Sequence, residues 1–194
     1  AFIQVGGAYA HNYVPILKML KIKTLIITDL DYNKDAMSME EVKREDSKST
    51  NATINYCYRL VHADREKDYS PTIKELYDFQ VEGKNILYNG LVYLAFQDEN
   101  STARTLEEAM LKKILKVDVF HMIKRSEWKK IRKDKKLTFS IPDNKEGEKD
   151  SKYSIRKIVE ATSNNKTDFM YSVILSGNEK KMLPDYIEKG LLWL

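Results

Sequence analysis

The sequence predicts an α/β fold in which a parallel sheet is flanked by helices, with a helical segment at the C-terminal end. A strand-like run, a helical run and a second strand-like run follow one another within residues 2–29, about the 30 residues that a strand–helix–strand unit occupies. A further β-rich run lies at residues 85–97, separated from the first three by helix-like segments. Strands that alternate with helices favour a parallel sheet.

The first part of the chain supplies the predicted strand–helix–strand unit. FIQVGG (residues 2–7) is short and apolar, as in a buried strand. HNYVPILKMLKI (residues 11–22) has apolar residues at helical spacing, and Pro15 suits a first helical turn. TLIITD (residues 24–29) is an apolar β-branched run and predicts the second strand. Residues 33–52 have few apolar anchors and predict a loop.

Two helices and a β-rich run follow this loop. The spacing of apolar residues in NATINYCYRLV (residues 51–61) is compatible with a helix. YSPTIKELYDF (residues 69–79) carries the Ser-Pro start signal of another helix. NILYNGLVYLAFQ (residues 85–97) predicts one or two strands, with a turn at Asn89-Gly90.

The rest of the chain is predicted to be mainly helical. TLEEAMLKKIL (residues 105–115) indicates a helix, and so do three segments at residues 153–161, 168–176 and 183–194. Between them, residues 142–152 hold too little apolar surface to pack. We therefore expect three parts: an α/β core over residues 1–117, a basic helix with a charged linker or insertion over residues 118–152, and a helical segment over residues 153–194.

Composition excludes several classes of protein. Cys57 is the only cysteine, which rules out an internal disulfide and a multi-cysteine zinc site and fits a reducing, cytoplasmic compartment. No apolar run approaches the roughly 20 residues that span a bilayer, so no membrane partner is expected. The formal net charge of +4 is modest, so binding to nucleic acid must depend on where the charges lie.

Two aspartates directly after a predicted strand are the first candidate site. If the strand extends through them, Asp29 and Asp31 face the same side about 6.6 Å apart. They lie at the carboxyl edge, where open α/β sheets place ligands. Two close carboxylates favour a hard cation such as Mg²⁺ or Mn²⁺ between them. A strand end that carries only solvated acids is an equally open interpretation of this motif.

Several protein classes place an Asp-x-Asp motif after a strand. Phosphatases of the haloacid dehalogenase type carry threonine two residues after the second aspartate, where this chain has Asn33. Nucleotide-sugar transferases also bind a metal through this motif, but little else here resembles their nucleotide fold. TOPRIM domains of topoisomerases, primases and some nucleases are similar to what remains: a glycine-ended strand, a helix, and a strand that ends in the motif.

The segment at residues 5–31 resembles the TOPRIM region of the overcoming-lysogenisation-defect family of ATP-dependent nucleases. Three further stretches agree in the same order, STNATI (residues 49–54), AFQDENSTARTLEEAML (residues 95–111) and the segment at residues 166–194. The resemblance implies a TOPRIM-like Rossmannoid fold and an endonuclease that cleaves DNA with two Mg²⁺ or Mn²⁺ ions. It also implies a homodimer, a separate ATPase domain through which ATP acts, and a role in phage defence.

The resemblance further implies which residues form the site. Asp29 and Asp31 would bind metal, Glu107 would bind a second metal with Glu108 as the alternative, and Glu99 matches another acid of the family. Arg104 would lie beside the phosphate, and Lys166 would stabilise charge in the transition state. Taken without the family, Glu107 is an ordinary acid of a first helical turn and Lys166 an ordinary solvated lysine.

One element of the family is absent from the sequence. TOPRIM sites take a glutamate from a strand that would precede FIQVGG, and no such motif occurs in this chain. We expect a fragment of a longer protein that carries this glutamate, and the alternative is a catalytically inactive module.

A basic stretch at residues 123–136 is the second candidate site. A surface that follows DNA phosphates is rich in lysine and arginine in this way. A solvated helix whose Trp128 and Ile131 pack inward can have the same composition. A non-catalytic DNA-binding or docking module is therefore a second hypothesis, and a metal-dependent phosphatase or transferase a third. The predicted DNA contacts are Lys124, Arg125, Lys129, Lys130, Arg132 and Lys133.

Overall fold

The computed structural model describes residues 1–6, 9–32, 36–44, 46–101, 103–138, 151–162 and 166–194. These residues form two compact units. The first unit comprises Ala1–Asn100 and Asp185–Leu194, and the second comprises Ser101–Pro184. The domain boundaries inferred from composition stay a prediction.

The described elements alternate between helices and short strands. In chain order they are α1 (Val14–Met19), β1 (Thr24–Ile27), α2 (Met39–Val42), α3 (Ala52–Val61), α4 (Ile73–Val81), β2 (Ile86–Leu87), β3 (Val92–Ala95), α5 (Leu106–Leu115), β4 (Met122–Lys124), α6 (Arg125–Asp134), β5 (Lys152–Ser154), α7 (Ile155–Thr162), α8 (Lys166–Leu175), α9 (Glu179–Met182) and α10 (Asp185–Trp193). A short 3₁₀ helix, Ala10–Tyr13, precedes α1. The predicted α/β class is confirmed.

The sheet of the first unit is mixed rather than purely parallel. Its strand order is β1-β3-β2, with β1 parallel and β2 antiparallel to β3. The predicted turn at Asn89-Gly90 is confirmed, and Tyr88, Asn89 and Gly90 all have positive φ. A connection this short can only reverse the chain, so β2 must run antiparallel to β3.

The prediction of a strand at residues 2–7 is wrong for residues 2–6, and residue 7 lies outside the described residues. Residues 1–6 form no strand, and Phe2 and Ile3 are 90% and 76% exposed. The strand–helix–strand unit predicted for residues 2–29 is therefore not formed by the described residues. Apolar composition indicates that a segment can be buried, but a strand also needs a ladder partner for its backbone groups.

The helices of the first unit begin where side chains satisfy their first N–H groups. Asn51 accepts hydrogen bonds from the N–H groups of Thr53 and Ile54, and α3 follows. Thr72 and Glu75 form a reciprocal capping box at the start of α4. These caps confirm both predicted helices. The segment predicted as a loop contains one short helix, α2.

Helix α10 packs closely on the sheet of the first unit. A Cβ atom added to Gly190 would lie 2.7 Å from Leu25 Cδ1 and 3.5 Å from the Cβ of Ala95. A side chain at position 190 would therefore displace the end of the Leu25 side chain, and glycine lets α10 approach β1 and β3 without this movement. The buried residues on either side include Ile26, Leu94 and Ile187.

We expect Glu75→Gln to lower the free energy of unfolding by up to about 1 kcal/mol at pH 7, because it removes a negative charge from the first turn of α4. Burial raises the pKa of Glu75, but hydrogen bonds from the Thr72 N–H and the Tyr69 hydroxyl outweigh it and hold that pKa below its usual value. A lowered folded-state pKa gives stability that is present above the unfolded pKa of about 4.3 and is lost as the pH falls through the folded value.

Urea denaturation at pH 7 and at about pH 3 checks this expectation, since the difference between Glu75→Gln and wild type should shrink at the lower pH. Glu66→Gln, at an exposed glutamate of the preceding loop, is the matched control. An equal difference at both pH values would contradict the ionic capping box.

The second unit encloses its own core. Strands β4 and β5 pair antiparallel, with Ile123 opposite Tyr153. Trp128 of α6 is buried and Ile131 packs against the same apolar cluster, so the inward packing of α6 is confirmed. The three predicted C-terminal helices are confirmed as α7, α8 and α10. Of the segment predicted not to pack (residues 142–152), residues 142–150 lie outside the described residues.

None of the helices in the described part of the chain is long and apolar enough to cross a membrane.

Candidate functional site

The two aspartates of the first unit lie in a loop beyond strand β1. The strand ends at Ile27, and Asp31 has a left-handed backbone with φ of 50°. The alternation of side chains along a strand therefore does not determine where Asp29 and Asp31 point. The prediction that they face the same side as residues of one strand is wrong. Both residues are half-buried, and their assignment as metal ligands stays a prediction.

The backbone of this loop, which we call the acidic loop (residues 28–31), is held by Ser49, Thr50 and Asn51. The Ser49 hydroxyl donates to the Leu30 carbonyl at 2.6 Å. The N–H and hydroxyl of Thr50 donate to the Asp31 carbonyl at 3.0 and 2.6 Å. The first residues of STNATI therefore hold the backbone of the acidic loop, a function that the family resemblance alone does not specify.

Asn51 connects the acidic loop to helix α3. Its Nδ2 donates to Thr28 Oγ1 at 2.9 Å and to the Asp29 carbonyl at 2.8 Å, while its Oδ1 caps the helix. The residue is buried, and both ends of its amide are used. The acidic loop is therefore fixed relative to a helix N-terminus.

Gln97 contacts the acidic loop from strand β3. It follows β3 by two residues and is fully buried. Its Oε1 accepts from the Leu30 N–H at 2.6 Å, and its Nε2 donates to Asp29 Oδ1 at 2.9 Å. Gln97 was not among the predicted site residues. Its place directly after a strand parallel to β1 was the available signal, because parallel strands end at the same sheet edge.

Glu99, a predicted metal ligand, forms an ion pair in this structure. Its carboxylate lies 2.5 Å from Lys43 Nζ, and both side chains are about half exposed. The neighbouring Asp98 lies 3.3 Å from Lys189 Nζ. Both acids therefore face lysine ammonium groups, whereas Gln97 contacts Asp29 with a neutral amide.

The donor atoms of the acidic loop fit a hard cation. Carboxylate oxygens are the ligands that Mg²⁺ and Mn²⁺ prefer, and Asp29 and Asp31 supply them from a loop that is tied to a strand and a helix. Within the described ranges, no group of three or more His, Cys, Asp or Glu is placed to hold a metal ion. The acidic loop alone therefore gives a partial set of ligands.

The adjacent acids Glu107 and Glu108 have different surroundings in the second unit. Both lie in the first turn of α5 and are buried. Glu108 pairs with the buried Arg156 through Nε at 3.0 Å and Nη2 at 3.1 Å, and it accepts from the Arg104 N–H at 2.9 Å. Glu108 is thus occupied by structural contacts, which supports Glu107 as the candidate ligand.

Glu107 faces the predicted catalytic lysine. Lys166 begins α8, and its Nζ lies 3.4 Å from Glu107 Oε1. The Glu107 side chain is 9% exposed and that of Lys166 is 58% exposed. Glu107 Oε2 is buried and has no hydrogen-bond partner among the described residues, and the same holds for Arg104 Nε. Such atoms are costly in a folded protein unless a ligand satisfies them.

The basic residues predicted to contact DNA lie on and beside α6. Lys124, Lys129, Lys130 and Lys133 are exposed, and Arg125 and Arg132 are half-buried. Because Trp128 points into the core, the helix presents a cationic outer face to solvent. Cys57, by contrast, is no candidate nucleophile, since burial raises the pKa of its thiol to about 12.

Two comparisons with known proteins agree with the family inferred from the motifs. Residues 1–31 match the model of the TOPRIM domain of overcoming lysogenization defect protein-like proteins. Endonuclease GajA of Bacillus cereus (strain HuB5-5) is 27% identical over 200 residues, covering 98% of this chain and 26% of GajA. The chain thus spans about a quarter of this curated relative. The comparison with solved structures found no match. The predicted resemblance to the family is confirmed.

Proposed function

We propose that this chain is the TOPRIM-like nuclease module of a metal-dependent endodeoxyribonuclease. The proposal rests mainly on the environment of the Glu107 carboxylate. This buried carboxylate has one oxygen beside Lys166 and the other with no hydrogen-bond partner among the described residues. A buried carboxylate that has one oxygen beside a lysine and the other without a hydrogen-bond partner in the described residues suits a site for a cation and a phosphate.

Asp29 and Asp31 would bind one Mg²⁺ or Mn²⁺ ion and Glu107 a second, with Glu99 as a further ligand once it leaves Lys43. When bound, such ions activate water and stabilise charge on a scissile phosphate. The ammonium group of Lys166 adds positive charge as the phosphate becomes more negative. Arg104, whose buried Nε lacks a hydrogen-bond partner in the described part of the chain, would donate to a phosphate oxygen.

The cationic outer face of α6 would bind DNA outside the reacting phosphate. Lysine and arginine contacts to phosphates position DNA without reading its sequence, and the predicted contacts are Lys124, Arg125, Lys129, Lys130, Arg132 and Lys133. Their contribution should fall as salt concentration rises, because counterions then compete for the phosphates.

For the whole protein, we propose a cytoplasmic homodimeric ATPase–nuclease that acts in phage defence. The support is the match to GajA, of which this chain covers 26%. ATP would act through a separate domain, and the glutamate that the family takes from an earlier strand would come from the same longer chain.

The cationic face of α6 also favours a second candidate, a non-catalytic DNA-binding or docking module. This function needs no metal and no Glu107. The two candidates therefore differ in whether they require a divalent cation.

Cleavage of supercoiled plasmid by the longest native form of the protein tests the proposal. We expect nicking or linearisation in Mg²⁺ or Mn²⁺ and none in EDTA. Asp29→Asn, Glu107→Gln and Lys166→Ala should each slow cleavage roughly 100-fold or more. Three matched controls should cleave at the wild-type rate, namely Asp64→Asn, Glu179→Gln and Lys157→Ala, which change exposed residues of the same types.

The docking module would be established if the protein slows the migration of the plasmid in a gel but leaves the plasmid uncut. In that case Lys129→Gln with Lys133→Gln would weaken the shift, and Glu107→Gln would leave it unchanged.

A further inference from the structure

The Gln97 side chain links three parts of the first unit. It is 0% exposed. Besides the Leu30 N–H and Asp29 Oδ1, its amide contacts the Tyr186 hydroxyl of α10 at 3.2 Å. The partners lie 67 to 89 residues away in the chain. A buried side chain with this many partners has one orientation.

The orientation of the Gln97 amide follows from the chemistry of its partners. The Leu30 backbone N–H can only donate, so the atom that faces it must be the amide oxygen. An ionised carboxylate can only accept, so the atom facing Asp29 Oδ1 must be the amide nitrogen. Reversing the amide would break both hydrogen bonds, which excludes the flipped arrangement.

We propose that Gln97 is a positioning residue that fixes the Asp29 carboxylate for binding of a divalent cation. The inference rests on the proposed function. Outer partners that hydrogen-bond to a metal ligand set the orientation of that ligand. Gln97 does this from a rigid strand end, and with its other atom it fixes the backbone of the same loop.

The neutral amide of Gln97 is well suited to positioning the Asp29 carboxylate. A lysine or arginine at this position would orient Asp29 but would cancel its charge, as Lys189 and Lys43 do for Asp98 and Glu99. The amide of Gln97 donates without a charge of its own, so this hydrogen bond orients the carboxylate without neutralising it.

The test is the affinity of the full chain for Mn²⁺, measured by calorimetry and by the electron paramagnetic resonance signal of free Mn²⁺. Gln97→Met removes the hydrogen bonds to Leu30, Asp29 and Tyr186 at similar volume and should weaken Mn²⁺ binding about tenfold or more. Asn85→Met is the matched control, because Asn85 is another buried amide of the first unit and donates to the Leu94 carbonyl. It should stay within about twofold of wild type.

A double-mutant cycle separates positioning from a general effect on folding. If Gln97 acts through Asp29, Gln97→Met should change Mn²⁺ affinity little in an Asp29→Asn background. Gln97→Asn, whose amide is one methylene too short to reach both partners, replaces Gln97→Met if circular dichroism shows that the latter is unfolded.

Two results would overturn the inference while leaving the proposed function intact: Mn²⁺ binding by Gln97→Met at wild-type affinity, or an equal loss in the Asp29→Asn background. Failure of the wild-type chain to bind Mn²⁺ would instead overturn the proposed metal site, and the function of Gln97 with it.

Discussion

Replacing Glu108 by alanine is expected to lower the free energy of unfolding by about 3–5 kcal/mol. The substitution leaves the guanidinium group of Arg156 buried and takes away both of its contacts with Glu108, at 3.0 and 3.1 Å. It also removes the acceptor of the Arg104 N–H. A buried charge that loses its partner costs far more than the intact pair contributes.

Glu107→Ala is the matched comparison, and it should behave in the opposite way. Glu107 is the preceding residue of the same helix turn and is equally buried, but its contact is with the exposed Lys166 at 3.4 Å. Removing a buried carboxylate oxygen that has no hydrogen-bond partner in the described residues should change stability by less than about 1 kcal/mol, or increase it. The same variant should lack activity.

Urea denaturation of the two variants, with cleavage or Mn²⁺ binding measured alongside, decides between structural and functional carboxylates. Glu108→Met combined with Arg156→Met should regain much of the lost stability, because a well-packed apolar pair replaces a buried ion pair at little cost. A large loss of stability in Glu107→Ala would show that Glu107 is structural, and the proposed site would lose its central residue.

The sequence alone does not predict the different surroundings of Glu107 and Glu108. Both are acids in the first turn of a helix, and the macrodipole favours either one. Successive residues of a helix point about 100° apart, so one carboxylate meets Arg156 and the other meets Lys166. Because these partners are distant in the chain, the sequence motif could only rank the two residues by family resemblance.

Local signals predicted most of the secondary structure. Apolar spacing predicted α3, the Ser-Pro signal predicted α4 and Asn89-Gly90 predicted the hairpin turn, because each of these signals acts within a few residues. Strands β4 and β5 were missed, since three residues are too few for a periodic pattern. Residues 2–6 were predicted wrongly because strand pairing is not a local property.

The acidic loop has one feature that neighbouring residues determine and one that distant residues determine. Its position after an apolar strand was evident from the sequence, and Asp29 and Asp31 follow β1 as expected. Its conformation depends on Asn51 and Gln97, which lie 22 and 67 residues away from the groups they bind. No spacing rule connects such residues, so their part in the candidate site became visible only in the folded chain.

Asn51→Ala is expected to lower the free energy of unfolding by about 2–4 kcal/mol, the sum of a lost helix cap and of partly buried groups that lose a hydrogen-bond donor. The cap bonds go to the N–H groups of Thr53 and Ile54, and the groups that lose a donor are Thr28 Oγ1 and the Asp29 carbonyl. Ser38→Ala, which removes the cap bond to the Glu41 N–H of α2, is the control and should cost about 1 kcal/mol.

Asn51→Asp separates the two functions of this side chain. Aspartate caps helices as well as asparagine does, so α3 keeps its cap, but a carboxylate cannot donate to the Asp29 carbonyl and adds a negative charge beside the acidic loop. We therefore expect Asn51→Asp to lose stability despite the retained cap, and urea denaturation checks this expectation. Wild-type stability in Asn51→Asp would mean that the cap is the whole contribution of Asn51, and that the acidic loop holds its conformation without the amide donor.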